Sequence, residues 1–118
     1  MIRAITLGGL LVALLAAAPT AEHLRLLRSD PAADSTVAAP AQVTLWFSGR
    51  PTLAVSSIRL WHADTAVTLG PVRALPDSAL MADVPSTLGH GTYQVRWRTA
   101  SSDGHPISGT FDFTVGPR

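Results

Sequence analysis

Gly91-Thr92-Tyr93-Gln94-Val95-Arg96-Trp97-Arg98-Thr99-Ala100 is the stretch that decides the fold class of this chain. Tyr93, Val95 and Trp97 fall on alternate positions, with Gln94, Arg96 and Arg98 between them. Successive side chains of an extended strand point to opposite faces, so one face here is apolar and the other polar. This is the pattern of a half-buried antiparallel strand. The last apolar stretch repeats it, with Phe111, Phe113 and Val115 pointing one way and Thr110, Asp112 and Thr114 the other. Between the two lies Ser101-Ser102-Asp103-Gly104-His105-Pro106, a loop by composition.

Working outward toward the N-terminus, the same alternation recurs in shorter pieces. Val43, Leu45 and Phe47 share one face of a strand, and Ile58 and Leu60 share a face of another. Pro31, Pro40, Pro51, Pro71, Pro76, Pro85 and Pro106 punctuate the chain, so few uninterrupted stretches are long enough for three helical turns. About seven short strands with frequent turns predict an all-β, two-sheet sandwich of immunoglobulin-like type.

The front of the chain reads differently. Met1-Ile2-Arg3 supplies a positive charge, Ala4 to Ala18 is apolar, and small residues lead to the first acid, Glu22. A charged start, a short apolar core and a small-residue exit describe a secretory signal peptide over residues 1–21. The apolar run is shorter than the roughly 20 residues a membrane span needs. Residues 22–118 then form the single mature domain, with no direct membrane insertion after cleavage. A domain of that size buries roughly 60–70% of its unfolded surface and can fold unaided.

The chain has no Cys, so thiolate metal sites are excluded and an exported form rests on core packing alone. Its charges are Arg, Asp and a single Glu, with no Lys, and loss of Arg3 with the leader leaves the mature chain near neutral. Neither a nucleic-acid footprint nor a polybasic membrane patch is present.

Histidine is where chemistry could sit, because a sandwich core needs none. His23 heads the first mature segment, His62 follows Trp61 at a strand end, His90 lies in a Gly-rich turn, and His105 belongs to the Asp103-Gly104-His105 triplet. In an extended segment a carboxylate and an imidazole two residues apart project to one side. Gly104 would not crowd them, and Pro106 stiffens the exit. Imidazole with carboxylate suits a divalent first-row ion, and tetragonal nitrogen–oxygen sets favour Cu(II). Two ligands bind weakly, and composition alone leaves His23, His62 and His90 all open as a third. Asp-Gly is also an ordinary turn dipeptide.

The strand and loop just quoted, followed by Gly109-Thr110-Phe111-Asp112-Phe113-Thr114-Val115, resemble the C-terminal signature of CopC-like copper-resistance proteins: G-x-Y-x-V-x-W, S-x-D-G-H-P and G-x-F-x-F-x-V. His23-Leu24 with Ser29-Asp30-Pro31-Ala32 is similar to the family's start, and Val43-Thr44-Leu45-Trp46-Phe47-Ser48 to its strand ending L-x-F-S. Arg50 to Pro85 matches in length and strand rhythm only. The resemblance implies a seven-stranded Greek-key sandwich in the periplasm that carries or buffers Cu(II) and is not an enzyme. It implies His23, Asp103 and His105 as ligands, His23 through ring and amine nitrogens, and a CopD-like inner-membrane protein as partner.

Two departures stand out. Some relatives carry a Met-rich loop for Cu(I), but here the methionines are Met1, in the leader, and Met81, alone in a predicted strand, so no Cu(I) site is expected. Relatives tend to begin with the ligand His, whereas Glu22 precedes His23. The remaining candidates have plainer readings: His62 and His90 as surface turn residues, Trp97 as core, and Arg96 and Arg98 as a solvated sheet face. Ser101 and Ser102 are ordinary loop neighbours of His105, and no nucleophile–base pair is visible. Trp46 and Trp61 fall on the opposite parity from their apolar neighbours and are expected to pair across strands on an outer face. The alternative function is a metal-free envelope sandwich that binds protein partners through those two indoles, and a copper oxidase ranks last. Signal peptidase requires small residues before its cut, so cleavage is expected after Ala21. The mass of the exported protein should correspond to a chain starting at Glu22, and a start at Ala21 or His23 would refute that reading.

Overall fold

A computed structural model describes residues 23–117. The predicted leader at residues 1–21, and Glu22 and Arg118 of the predicted domain, lie outside the described residues. Among the described residues nine strands form in chain order: β1 (Leu26–Asp30), β2 (Thr36–Val37), β3 (Gln42–Phe47), β4 (Ser57–His62), β5 (Thr65–Val67), β6 (Arg73–Leu75), β7 (Ala79–Asp83), β8 (Gly91–Ala100) and β9 (Pro106–Val115). A 3-10 turn at Leu53–Val55 is the sole helical element among the described residues. Strands of two or three residues, such as β2, β5 and β6, are too short to show an alternating pattern, so nine stand where about seven were expected.

The strands make two sheets, ordered β1-β3-β7-β6 and β2-β9-β8-β4-β5. Every pairing is antiparallel except the short one between β2 and β9. Neighbours such as β3 and β7, or β4 and β8, are distant in sequence because the chain crosses repeatedly between sheets, which gives the expected Greek-key sandwich. The alternating residues meet between the sheets. Val43, Leu45 and Leu80 from one face Leu60, Val95 and Phe113 from the other, all essentially inaccessible to solvent. Phe47 meets the Trp97 ring edge-on at 5.3 Å, and Tyr93 stacks on Phe113 at 5.7 Å. The buried Thr99 is satisfied by the Ser56 hydroxyl at 2.6 Å.

One packing expectation is corrected. Trp46 lies in β3 and Trp61 in β4, strands of different sheets, so the two indoles do not pair. Each is instead covered by an arginine on its own sheet: the Arg28 guanidinium lies 3.8 Å from the Trp46 ring and that of Arg96 lies 4.5 Å from Trp61. An arginine laid over an indole gains cation–π attraction and shields the ring from water. Arg96 is therefore more than a solvated charge.

Trp97 imposes a constraint on its neighbour. It pairs with Gly109 in the β8–β9 register, and its indole lies over that residue. A Cβ built at Gly109 would come within 2.6 Å of Trp97 Cζ2. Gly109→Ala must push the indole out of place, and overpacking of this kind costs about 1–3 kcal/mol. The expected result in thermal unfolding is a Tm lowered by roughly 4–8 °C per kcal/mol for a domain near this size. An unchanged Tm would show that the indole can move aside freely.

Candidate metal centre

Ser101 through His105 close the β8–β9 hairpin. The Gly104 amide donates to the Ser101 carbonyl at 2.9 Å, and the Ser101 amide donates to the His105 carbonyl at 3.1 Å. Gly104 holds φ +92°, a conformation that favours glycine. The Asp-Gly dipeptide thus turns the chain tightly enough to bring Asp103 and His105 face to face. They meet around a turn, and not as alternate residues of an extended segment as the sequence pattern suggested.

His105 Nδ1 lies 3.0 Å from Asp103 Oδ2, and the His105 amide donates to Asp103 Oδ1 at 3.2 Å. The same Oδ1 accepts a hydrogen bond from the Ser101 hydroxyl. These interactions, the Ser101 hydroxyl first and the His105 ring and amide next, lower the Asp103 pKa from 3.8 to about 2. The carboxylate is therefore charged at any pH where imidazole is neutral. Both side chains are substantially exposed, 68% for His105 and 46% for Asp103.

His23 reaches the same end of the sandwich by a different route. The next residue, Leu24, is buried in the core, which pins the segment just before β1. The Arg25 amide donates to Ser48 Oγ at 3.0 Å, and the Ser48 amide returns a bond to the Arg25 carbonyl at 2.9 Å. This leaves the exposed His23 ring edge-on to His105, with 6.1 Å between centroids.

The donor chemistry fits a first-row ion. Bonds of about 2.0–2.2 Å at right angles put neighbouring nitrogen and oxygen donors about 2.9 Å apart, near the separation of Nδ1 and Oδ2. Two imidazoles on opposite sides of one ion would have centroids about 6 Å apart by the same bond lengths, near the separation of His23 and His105. The three side chains do not already form a closed cluster, and among the described residues no group of three or more His, Cys, Asp or Glu is drawn together tightly enough to hold a metal.

The other histidines lie elsewhere. His62 ends β4, which runs antiparallel to β8 and places it near Tyr93, at the far pole from His105. It is half-buried, with its ring edge-on to Tyr93 at 4.6 Å, so the turn-residue expectation is corrected. The strand end packs it where Gly91 leaves room: a Cβ there would stand 3.0 Å from His62 Cε1. His90 is exposed and immediately precedes β8, at that same pole. Met81 is buried in β7 on its own. Ser101 reads in the sequence as an ordinary loop neighbour of His105. Its two-residue spacing from Asp103 was the available signal, because a hydroxyl at that offset can reach the carboxylate across a turn.

Residues 26–116 match the family model of the CopC domain. The chain is 37% identical over 123 residues to copper resistance protein C of Escherichia coli, covering 96% of this chain and 95% of that protein. It is 36% identical over 116 residues to copper resistance protein C of Pseudomonas syringae pv. tomato, covering 92% and 89%. Among solved structures it is similar to PcoC, described as a methionine-rich copper resistance protein from Escherichia coli, with TM-score 0.74, 36% identity and coverage of 80% of this chain and 100% of that one. CopC from Methylosinus trichosporium OB3b aligns with TM-score 0.74 and 35% identity, covering 81% and 96%.

The Asp103 environment has a direct consequence in solution. A folded-state pKa below the ordinary 3.8 means that any order this carboxylate lends the loop is complete above the unfolded value and is lost as pH falls through about 2. In a carbon-13 NMR titration of the copper-free protein, the Asp103 carboxyl should show a midpoint near 2. A midpoint at or above 3.8 would contradict the hydrogen-bonded arrangement.

Proposed function

This chain belongs to the CopC family, and we propose that it is a copper-resistance protein that carries or buffers Cu(II) in the periplasm, exported by cleavage of residues 1–21. The observation that carries the proposal is the meeting of His23 and His105 beside the ionised Asp103 at one pole of the sandwich. His23, Asp103 and His105 are the proposed ligands. They offer nitrogen and oxygen atoms only, a set that favours Cu(II) over Cu(I), which prefers thioether and thiolate sulfur. No catalytic role is proposed.

Exposure of the site suits a carrier. The His105 side chain is about two-thirds open, so an accepting protein can approach the ion before the last ligand leaves. A CopD-like inner-membrane protein is the proposed acceptor. Imidazole must be neutral to bind, so copper competes with protons and affinity falls as pH is lowered, while Asp103 remains ionised. With Glu22 in front, the amine joins the His23 ring nitrogen in chelation only through the intervening amide nitrogen, which must lose its proton. Water is the simpler occupant of that position.

Competition titration should give one Cu(II) per chain. His105→Ala and His23→Ala are each expected to abolish tight binding. Asp103→Ala should weaken it less, since water replaces one carboxylate oxygen more readily than an imidazole nitrogen. His62→Ala and His90→Ala should bind as the wild type does. Wild-type affinity in His105→Ala would show that the site is elsewhere, and substoichiometric binding by the wild type would favour the metal-free reading.

A further inference from the structure

We propose that Ser101 is a positioning residue of the copper site, acting through Asp103; this rests on the copper-binding reading above. Asp103 is an exposed side chain in a loop, so nothing in the core holds its carboxylate plane. Two donors hold it instead. Oδ1 accepts from the Ser101 hydroxyl and from the His105 amide at 3.2 Å, and this turns Oδ2 toward His105 Nδ1, 3.0 Å away. The amide is part of the backbone and is present whatever the loop sequence. The hydroxyl is the contribution that a side chain makes.

Ser101 can act this way because it is itself fixed. Its amide bonds the His105 carbonyl, and its carbonyl accepts from the Gly104 amide at 2.9 Å and from Thr52 Oγ1 at 3.3 Å. Thr52 is tied to the five-stranded sheet through its amide, which donates to the Ala100 carbonyl at 3.0 Å. The Thr52 carbonyl accepts from Ser56 Oγ at 2.7 Å, and Ser56 Oγ meets the buried Thr99 hydroxyl. A continuous run of hydrogen bonds therefore leads from the sandwich interior to the carboxylate. Ser102, the next residue, is exposed and makes no such bond among the described contacts.

Groups that orient a metal's ligands without touching the ion are worth about 10–100-fold in metal affinity. The test uses the exported protein with Cu(II) alone, measuring affinity by competition with a chelator and ligand geometry by electron paramagnetic resonance. Ser101→Ala should bind about tenfold more weakly and show a changed copper hyperfine splitting. Ser101→Thr, which keeps the hydroxyl, should restore both, and Ser102→Ala should match the wild type. Thermal unfolding of each variant separates a lost fold from a lost orientation, and if Ser101→Ala unfolds, failure of the folded Ser101→Thr to bind as the wild type does overturns the proposal. A folded Ser101→Ala with wild-type affinity and spectrum also overturns it, and leaves the copper reading standing. A wild-type protein that binds no Cu(II) removes that reading and this inference with it.

Discussion

The β8–β9 hairpin pairs ten residues against ten, from Gly91 opposite Val115 to Ala100 opposite Pro106, without a break in register. Because side chains alternate along a strand, this single register does two things at once. It sends Tyr93, Val95, Trp97, Phe111 and Phe113 toward the other sheet, and it brings the connecting loop out at one end of the sandwich. A slip of one residue would expose the aromatic rows and displace the loop together. Trp97 over Gly109 guards against that slip, since a shifted partner would bring a side chain under the indole.

The proposed site is separable from the structure that supports it. The core is made of apolar side chains from both sheets, whereas Asp103, His105 and His23 are all exposed. Among the described residues the buried side-chain polar atom left without a partner is Trp61 Nε1, an N–H donor that cannot bind a cation, so the core needs no metal ion to complete it. The loop geometry is likewise set by backbone bonds within Ser101–His105 and by Thr52, before any ion arrives. An exposed, preshaped pair of donors needs little rearrangement to take up an ion and presents little obstacle to its loss.

Long strands were legible in the sequence and short ones were not. Ten residues of alternation over β8 leave no second interpretation, while the two residues of β2 carry no period at all. The closeness of Asp103 and His105 was legible from Asp-Gly-His, although the means was a turn and not an extended segment. What the sequence could not show was membership of a sheet. Trp46 and Trp61 share a parity relation to their neighbours, but parity says only that a side chain points outward, not from which sheet. Their different partners, Arg28 and Arg96, follow from strand order. Ser101 reads as an ordinary loop residue for a related reason: a serine two residues from an aspartate is common, and only the path of the turn shows whether hydroxyl and carboxylate meet.

Topology, more than composition, limits which histidines can lie near His105. His62 and His90 both lie beside the start of β8, and His105 lies just past its end. Nine residue steps separate those ends, about 30 Å at roughly 3.3 Å per step. No side chain spans that distance, so neither His62 nor His90 can share an ion with His105 in one chain. His23 can, because β1 begins opposite Phe47 at the end of β3, and Leu24 plugs the sandwich at the pole where the β8–β9 loop emerges. His23, just before β1 of one sheet, and His105, in the β8–β9 loop of the other, are thus neighbours because the two sheets pack face to face.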